Sequence, residues 1–148
     1  MFALTAPRIL EAFLEENDFS FSRGIDSDGD TFFQLTFSRL FESEAYQVQI
    51  VIREEQLLWV VRLPFRTSYI QEAITFANST NSTIPVGSFV VGDEGDIFVK
   101  AGMVVPSNYT LDPSMVLANV AFLILLAEDK IESFRFLTPH APIGGGLS

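Results

Sequence analysis

The chain has 148 residues, which is long enough for one domain with a full hydrophobic core and too short for two comfortable ones. Its 19 acidic residues against 9 lysines and arginines give a formal net charge of -10, which disfavours nucleic-acid binding because a phosphate backbone would be repelled. The absence of cysteine excludes disulfides, thiolate catalysis and zinc sites built on sulfur.

The N-terminal segment does not have the pattern of a signal peptide, because Arg8 is soon followed by Glu11 and Glu15 rather than by an apolar run. The longest apolar run, residues 120–127, is much shorter than the roughly 20 residues that span a bilayer. These features predict a soluble, cytoplasmic protein with no membrane partner. N-glycosylation requires entry into a secretory route, which these features do not predict. We therefore interpret three N-x-[ST] matches as chance occurrences; they begin at Asn78, Asn81 and Asn108.

The first predicted element is an amphipathic helix of about three turns. Thr5 can cap its start, and Pro7 falls in its opening turn, where a missing N–H costs nothing. Apolar residues then recur at helical spacing, namely Ile9, Leu10, Phe13 and Leu14.

After this helix, apolar and polar residues alternate in three successive segments. They cover residues 33–38, 46–53 and 57–63. Period-two alternation repeated in this way predicts an antiparallel meander with one buried face. The other face is mixed rather than polar, which is typical of a face that a partner covers; its apolar interruptions are Phe32, Val51, Leu58 and Val60.

A second helix is predicted after the meander, where Ser68 and Gln71 have the spacing of a capping box. A β-hairpin follows it. Residues 88–91 and 97–101 are short apolar runs, and the glycines and acids between them are typical of a tight turn.

The last helix is predicted to open at Asp112, an N-cap followed by proline at the first helical position. Residues 115–126 are apolar on almost every side. Such a helix must be buried on all sides, by its own sheet on one side and by something else on the other. After residues 128–130 the apolar spacing predicts another turn or two of helix.

Together these elements predict a single α+β domain over residues 1–138. It contains one largely antiparallel sheet of five or six strands, and three helices cover the main apolar face of that sheet. The segment 139–148 contains proline and three glycines and is predicted to be a flexible tail.

One acidic turn resembles a metal site. Asp26, Asp28 and Asp30 occupy the first three ligand positions of a calcium-binding loop, where oxygens at alternate residues converge on a hard cation. The match then fails, because Thr31 replaces the required glycine and Phe37 replaces the bidentate glutamate. We therefore interpret the segment as an acidic hairpin turn, and the same interpretation applies to Asp93, Glu94 and Asp96.

His140 is the only histidine, and it lies between prolines in the predicted tail. A general base needs fixed geometry and a metal cluster needs further ligands, so we expect neither role from it. The remaining acids fall in predicted turns or on solvated helix faces. The sequence therefore predicts no catalytic, cofactor-binding or metal-binding residue, and no cofactor.

Several short motifs stand at matching places in the predicted order of elements. They are Asn78 and Asn81 at the end of the second helix, the Gly-Ser-Phe sequence at 87–89, the hairpin turn at 93–97 and the apolar helix at 115–126. In this order they resemble the YbjN family, over roughly Ala6 to Leu137.

The resemblance implies the family's fold, which is shared with the type III secretion chaperones: a single antiparallel sheet with helices against it, commonly dimeric. The family has no established catalytic residues, so none is carried over. The chain departs from the family pattern at Phe19 to Ile25, an added segment that would form an extra edge strand and change the partner surface.

The resemblance and the mixed sheet face imply a non-enzymatic interaction module, chaperone-like or regulatory, that binds another polypeptide. The alternative is a small-ligand-binding protein or an enzyme on the same fold, which would need a closed pocket with convergent polar groups. A structural subunit of a larger complex differs from the first interpretation only in the permanence of its partner.

We also expect a homodimer. The helix at 115–126 and the apolar positions of the second sheet face exceed the apolar area that a soluble monomer usually exposes, and a symmetric pair is the commonest solution. The competing arrangement is a monomer in which the helices and the tail cover both faces.

Overall fold

The computed structural model describes residues 1–39 and 43–138 of the chain. The predicted tail at 139–148, which contains His140, lies outside the described residues. The described chain forms α1 (Phe2–Glu16), β1 (Phe21–Ile25), β2 (Thr31–Ser38), β3 (Ala45–Ile52), β4 (Gln56–Arg66), α2 (Ile70–Asn81), β5 (Ser88–Val91), β6 (Asp96–Val104) and α3 (Pro113–Arg135).

The six strands form one antiparallel sheet in the order β1-β2-β3-β4-β6-β5. The predicted α+β fold is therefore confirmed, and the added segment does contain an edge strand, β1. The register keeps alternate residues on one face, since Phe33 lies opposite Ile50 and Ile50 lies opposite Trp59. A slip of one residue would turn this whole apolar set towards water, so the alternation fixes the register.

All three helices pack on the same face of the sheet. Four residues of α1, Phe2, Ala6, Leu10 and Leu14, are fully buried at the spacing of one helical face. α3 lies over β4 and β6, and α2 packs on β5. Full burial of one large apolar side chain contributes about 1.5–3 kcal/mol, so this single face supplies the main stabilisation of the fold.

α3 starts as predicted but is only partly buried. The Asp112 carboxylate accepts hydrogen bonds from the backbone N–H groups of Ser114 and Met115, at 3.1 and 3.4 Å. The helix is not buried on all sides within this chain, because Phe122 is 44% and Leu125 69% exposed. No helix in the described part of the chain is both long and apolar enough to cross a membrane. The buried side of α3 consists of Val116, Val120, Leu123, Ala127, Ile131 and Phe134.

Two predicted helix caps are wrong. α1 begins earlier than expected, so Thr5 lies inside it and its hydroxyl donates to the Met1 carbonyl. The reason is tertiary, because Phe2 is buried and its N–H donates to the Ser107 carbonyl at 2.8 Å. α2 has Tyr69 at its N-cap, with no side-chain cap from the residue before it. The Thr67 hydroxyl instead accepts from the Tyr69 N–H, at 3.0 Å.

The predicted hairpin of β5 and β6 is present, and Asn81 at the end of α2 holds its outer strand. The Asn81 side-chain amide donates to the Phe89 carbonyl at 2.9 Å, and its oxygen accepts from the Phe89 N–H at 2.7 Å. The pair replaces the bonds that a further strand would make. One of the motifs that carry the family resemblance therefore protects a sheet edge.

We expect Gly95→Ala to destabilise the fold much more than Gly29→Ala, although both glycines have a positive φ, +90° and +84°. At Gly29 nothing lies within 4 Å of an added Cβ, so only left-handed backbone strain counts, about 1–2 kcal/mol. At Gly95 the added carbon would collide with the Thr67 carbonyl oxygen, and we expect a loss of more than about 3 kcal/mol. Urea unfolding measures both losses, and equal values would contradict the geometry of the β5–β6 turn.

Candidate functional site

The face of the sheet that points away from the helices carries the mixed surface noted in the sequence; we call it the open face. Gly24, Phe32, Val51, Leu58 and Gly102 lie side by side across it. The Phe32 side chain lies over Gly24 and the Leu58 side chain lies over Gly102. A Cβ on either glycine would collide with the side chain above it. Val51 between them is only 8% exposed, although it is not part of the helix-side core. The apolar row therefore covers itself in part.

Beside this row, polar and apolar side chains surround a hollow of about 230 Å³, which we call the glutamine hollow. The amides can donate and accept hydrogen bonds, and only part of that capacity is used internally, where Gln47 accepts from the Thr36 hydroxyl at 3.1 Å. The hollow is lined by Gln34, Gln47, Val48, Gln49, Val60, Arg62 and Phe98.

A larger hollow of about 560 Å³ continues the open face towards β5 and the end of β6. Val60 lines both hollows, and Lys100 lies directly opposite it on β6. The two hollows therefore meet along β4, where a ligand would contact apolar and basic side chains together.

The open face differs in charge from the rest of the protein. Arg62 and Lys100 lie on it, and Asp96 is the one carboxylate among its described strand residues. Asp96 is occupied, because Arg66 donates to it at 2.9 Å and Arg62 lies 3.8 Å away. The protein as a whole is strongly acidic, and many of its acids lie on the helices: Glu11, Glu15, Glu16, Glu72, Glu128, Asp129 and Glu132.

A network of charged side chains joins α3 to the connection between β2 and β3. Arg39 donates to Glu128 at 2.6 Å and to Glu44 at 2.7 Å, and Arg135 also donates to Glu44, at 2.8 Å. The hydroxyl of the buried Tyr46 donates to Glu128. These charge-assisted hydrogen bonds join α3 to residues that precede it in the chain, so we interpret the network as a clamp that fixes the C-terminal half of α3, although the buried Nε of Arg135 has no hydrogen-bond partner among the described residues.

The same contacts shift the acidity of the network. Hydrogen bonds from Arg39 hold the pKa of Glu128 below its ordinary value, and the hydrogen bond from Arg135 does the same to the pKa of Glu44. Burial raises the pKa of the Tyr46 hydroxyl, and the hydrogen bond to Glu128 adds to that shift. The network is therefore fully charged at neutral pH, with Tyr46 as a neutral donor.

The structure brings Asp26, Asp28 and Asp30 together, with potential ligand oxygens within 4.8 Å of one another. The Asp26 carboxylate, however, accepts from the backbone N–H groups of Asp28 and Asp30, at 2.9 and 3.0 Å. Asp30 in turn forms an ion pair with Arg53 at 3.1 Å. Oxygens of Asp26 and Asp30 therefore contribute to the stability of the β1–β2 turn.

Asp93, Glu94 and Asp96 do not form a comparable cluster among the described residues. Asp96 and Glu94 both face Arg66, at 2.9 and 3.8 Å. His140 lies outside the described residues.

Sequence reasoning missed the glutamine hollow and the network around Glu128. Period-two alternation in residues 46–53 and 57–63 predicts that Gln47, Gln49 and Arg62 lie on the outer face, and this is the sequence signal for the hollow. The network around Glu128 has no such signal in the sequence, because Arg39 and Glu128 are 89 positions apart in the chain.

We expect the stability that Glu128 contributes to be lost at low pH. Its folded pKa lies below the ordinary value of 4.5, so the contribution is complete above pH 4.5 and declines as pH falls through the folded pKa. Glu128→Gln should cost about 1 kcal/mol at pH 7, a modest figure because the side chain is 39% exposed, and less at pH 3. Urea unfolding at both pH values checks this, with Glu15→Gln on α1 as the control; an unchanged cost at pH 3 would contradict the ion pair.

A comparison with known protein families gives a match over most of the chain. The YbjN family model, described as "Putative bacterial sensory transduction regulator", matches residues 6–136. No curated protein matches the chain. Because the match covers most of the chain, including the greater part of α1, all of α2 and α3 and the whole sheet, the chain belongs to the YbjN family.

Proposed function

We propose that this protein is a non-enzymatic regulatory module that binds another polypeptide through the open face of its sheet. The description of its family as a regulator of sensory transduction supports the regulatory part. The binding part is our own inference from the surface. A chaperone-like role, with a partner kept in an extended form, is the finer version of the same proposal.

The observation that carries the proposal is a sheet face without helices that nevertheless has hollows and apolar side chains. The core on the other face is filled at its centre, since Val48, Ile50 and Trp59 on β3 and β4 are almost fully buried beneath the helices. Val60 and Phe98 on the open face are half-buried, so they have apolar surface left for a ligand. Surfaces that mix apolar and polar groups in this way are typical of protein interfaces.

The chemistry of the open face favours an extended, acidic segment as the ligand. Arg62 and Lys100 can bind carboxylates, and the glutamine amides can donate to and accept from a peptide backbone. An apolar side chain of the segment would fit between Val60 and Phe98 in the glutamine hollow. The acidic helices would repel the same segment, so charge directs it to this side of the molecule.

The proposal places the protein in the cytoplasm and gives it no nucleic-acid or membrane partner. The acidic net charge supports the proposal that no nucleic acid binds, since nucleic acids bind to basic surfaces.

We expect peptides selected from a random library on the immobilised protein to be enriched in Asp and Glu and to contain an apolar residue. Their affinity should fall at least about fivefold in Arg62→Glu/Lys100→Glu, because both changes put a repulsive charge on the open face. The matched control is Arg8→Glu/Lys130→Glu, which makes the same charge change on α1 and α3. Fluorescence anisotropy measures the affinities.

Two results would contradict the proposal. One is an equal loss of affinity in both double variants, which would show a general charge effect. The other is a set of selected peptides without acidic residues.

A further inference from the structure

The regular pairing of β4 is interrupted near one end of the sheet. β4 pairs with β3 as far as Arg62, and it pairs with β6 at Arg62 and then again only at Arg66, after a register shift. Pro64 lies in this interval and has no N–H to donate to a neighbouring strand. Irregular strand segments of this kind are common beside binding sites. The strands leave room for a hollow at this end of the sheet.

This hollow, which we call the β4 hollow, has a volume of about 380 Å³. Ligand pockets in proteins have volumes of about 300–1,000 Å³, so a small molecule would fit. The β4 hollow adjoins the glutamine hollow, since Gln47 and Arg62 line both. Its walls carry charges of both signs, an amide and apolar surface, which come from Glu44, Ala45, Gln47, Arg62, Pro64 and Asp96.

One cation and one carboxylate of the β4 hollow lie close together without a hydrogen bond between them. Nη1 of Arg62 is 3.8 Å from Oδ1 of Asp96, which is too long for a hydrogen bond. This contact is the one ion pair that Arg62 makes among the described residues, and its side chain is 44% exposed. Asp96 also accepts from Arg66 at 2.9 Å, but through the same Oδ1, so its Oδ2 accepts from no described residue. Arg62 and Asp96 can therefore both bind a ligand.

A second carboxylate of the β4 hollow also has an unused oxygen. Arg39 and Arg135 both donate to Oε1 of Glu44, at 2.7 and 2.8 Å, and no described residue donates to its Oε2. The hydrogen bond from Arg135 lowers the pKa of Glu44, and the one from Arg39 acts in the same direction, so this carboxylate is charged at neutral pH. Gln47 adds a neutral donor, because its amide oxygen accepts from Thr36 while its N–H groups donate to no described residue.

We propose that the β4 hollow binds a free basic α-amino acid, of the class of L-lysine and L-arginine. The α-carboxylate accepts from Arg62, and the α-ammonium donates to Asp96. These two groups of the ligand are attached to the same carbon, which suits a guanidinium and a carboxylate that are 3.8 Å apart. The charged end of the ligand side chain donates to Oε2 of Glu44.

The rest of the β4 hollow suits the long side chain of such a ligand. Ala45, Pro64 and Phe65 give it apolar walls, against which a methylene chain can pack while its charged end reaches a carboxylate. The net charge of -10 favours a ligand with a positive net charge, because the field of the whole protein attracts cations. A neutral amino acid would leave Oε2 of Glu44 without a donor.

This inference goes beyond the proposed function, because the ligand is a small molecule and not a polypeptide. The two ligands would share Arg62, which lines both the β4 hollow and the glutamine hollow. A bound amino acid would occupy its guanidinium and weaken binding of the acidic segment. The amino acid would then be an effector of the regulator, and this consequence alone rests on the proposed function.

Isothermal titration calorimetry of the full chain at constant ionic strength tests the ligand class. L-lysine and L-arginine should bind with dissociation constants below about 1 mM. Three analogues of L-lysine each lack one charged group: L-norleucine has no side-chain cation, cadaverine has no carboxylate, and Nα-acetyl-L-lysine has no α-ammonium. Each should bind at least about tenfold more weakly than L-lysine, because one charge-assisted hydrogen bond is lost.

Two variants test the position of the site. Arg62→Gln removes the partner of the α-carboxylate and should weaken binding of L-lysine at least about tenfold, whereas Arg8→Gln makes the same charge change on an exposed residue of α1. Ala45→Leu fills the hollow without a change of charge and should weaken binding to a similar extent. Its matched control is Ala121→Leu, at an exposed position of α3. Both controls should bind like the wild type, and circular dichroism shows that each variant folds.

Three results would overturn the inference. They are no binding of L-lysine up to about 10 mM, an affinity for any of the three analogues equal to that for L-lysine, and an equal loss of affinity in Arg62→Gln and Arg8→Gln. Equal binding of Nα-acetyl-L-lysine would indicate a site for the end of a polypeptide chain instead. These titrations contain no peptide, and the peptide-binding experiment contains no amino acid, so the two proposals fail separately.

Discussion

The whole fold depends on one apolar face of one antiparallel sheet. Alternate residues of β2, β3 and β4 place their large side chains on that face, and the strand register aligns them across the sheet. Because every helix has an apolar side that must leave water, all three pack there and form a single layer with a single core. The opposite face is thereby left without helices, and it can carry polar and basic groups at no cost to the core.

α3 contacts the sheet both through its apolar side and through its charged side chains. Its buried stripe packs on β4 and β6, while its C-terminal half is held by ion pairs to Arg39 and Glu44 in the β2–β3 connection. The Arg135 guanidinium also lies over the Phe65 ring, 4.9 Å from its centre, so it contacts both a carboxylate and an aromatic face. Contacts of this number fix the rotation of α3, and that rotation decides which of its apolar residues remain exposed.

The molecule therefore has two surfaces of different character on its two sides. The open face is basic and amide-rich, with hollows in which Val60 and Phe98 are half-buried. The helix side is acidic, except on the outer side of α3, where the uncharged, apolar Phe122 and Leu125 are exposed.

The sequence by itself determined much of this fold. Period-two alternation in the meander, the N-cap at Asp112 and the turn chemistry around Gly95 are local signals, and each identified its element correctly. The family resemblance rested on the same kind of signal, and Asn81 proved to hold the edge of β5. Local signals work here because a turn, a cap or an alternating strand is decided by residues close together in the chain.

Contacts between distant residues were decided only by the tertiary structure. α1 starts earlier than the local signal at Thr5 predicts, because Phe2 is buried in the core and the helix includes it. The ion pair of Arg39 with Glu128 joins residues 89 positions apart. The sequence showed that residues 115–126 are apolar on almost every side, but packing of α3 on β4 and β6 decided that Phe122 and Leu125 face outward. Burial is a property of the assembled core, and a helix's own sequence cannot say which of several apolar sides the core will take.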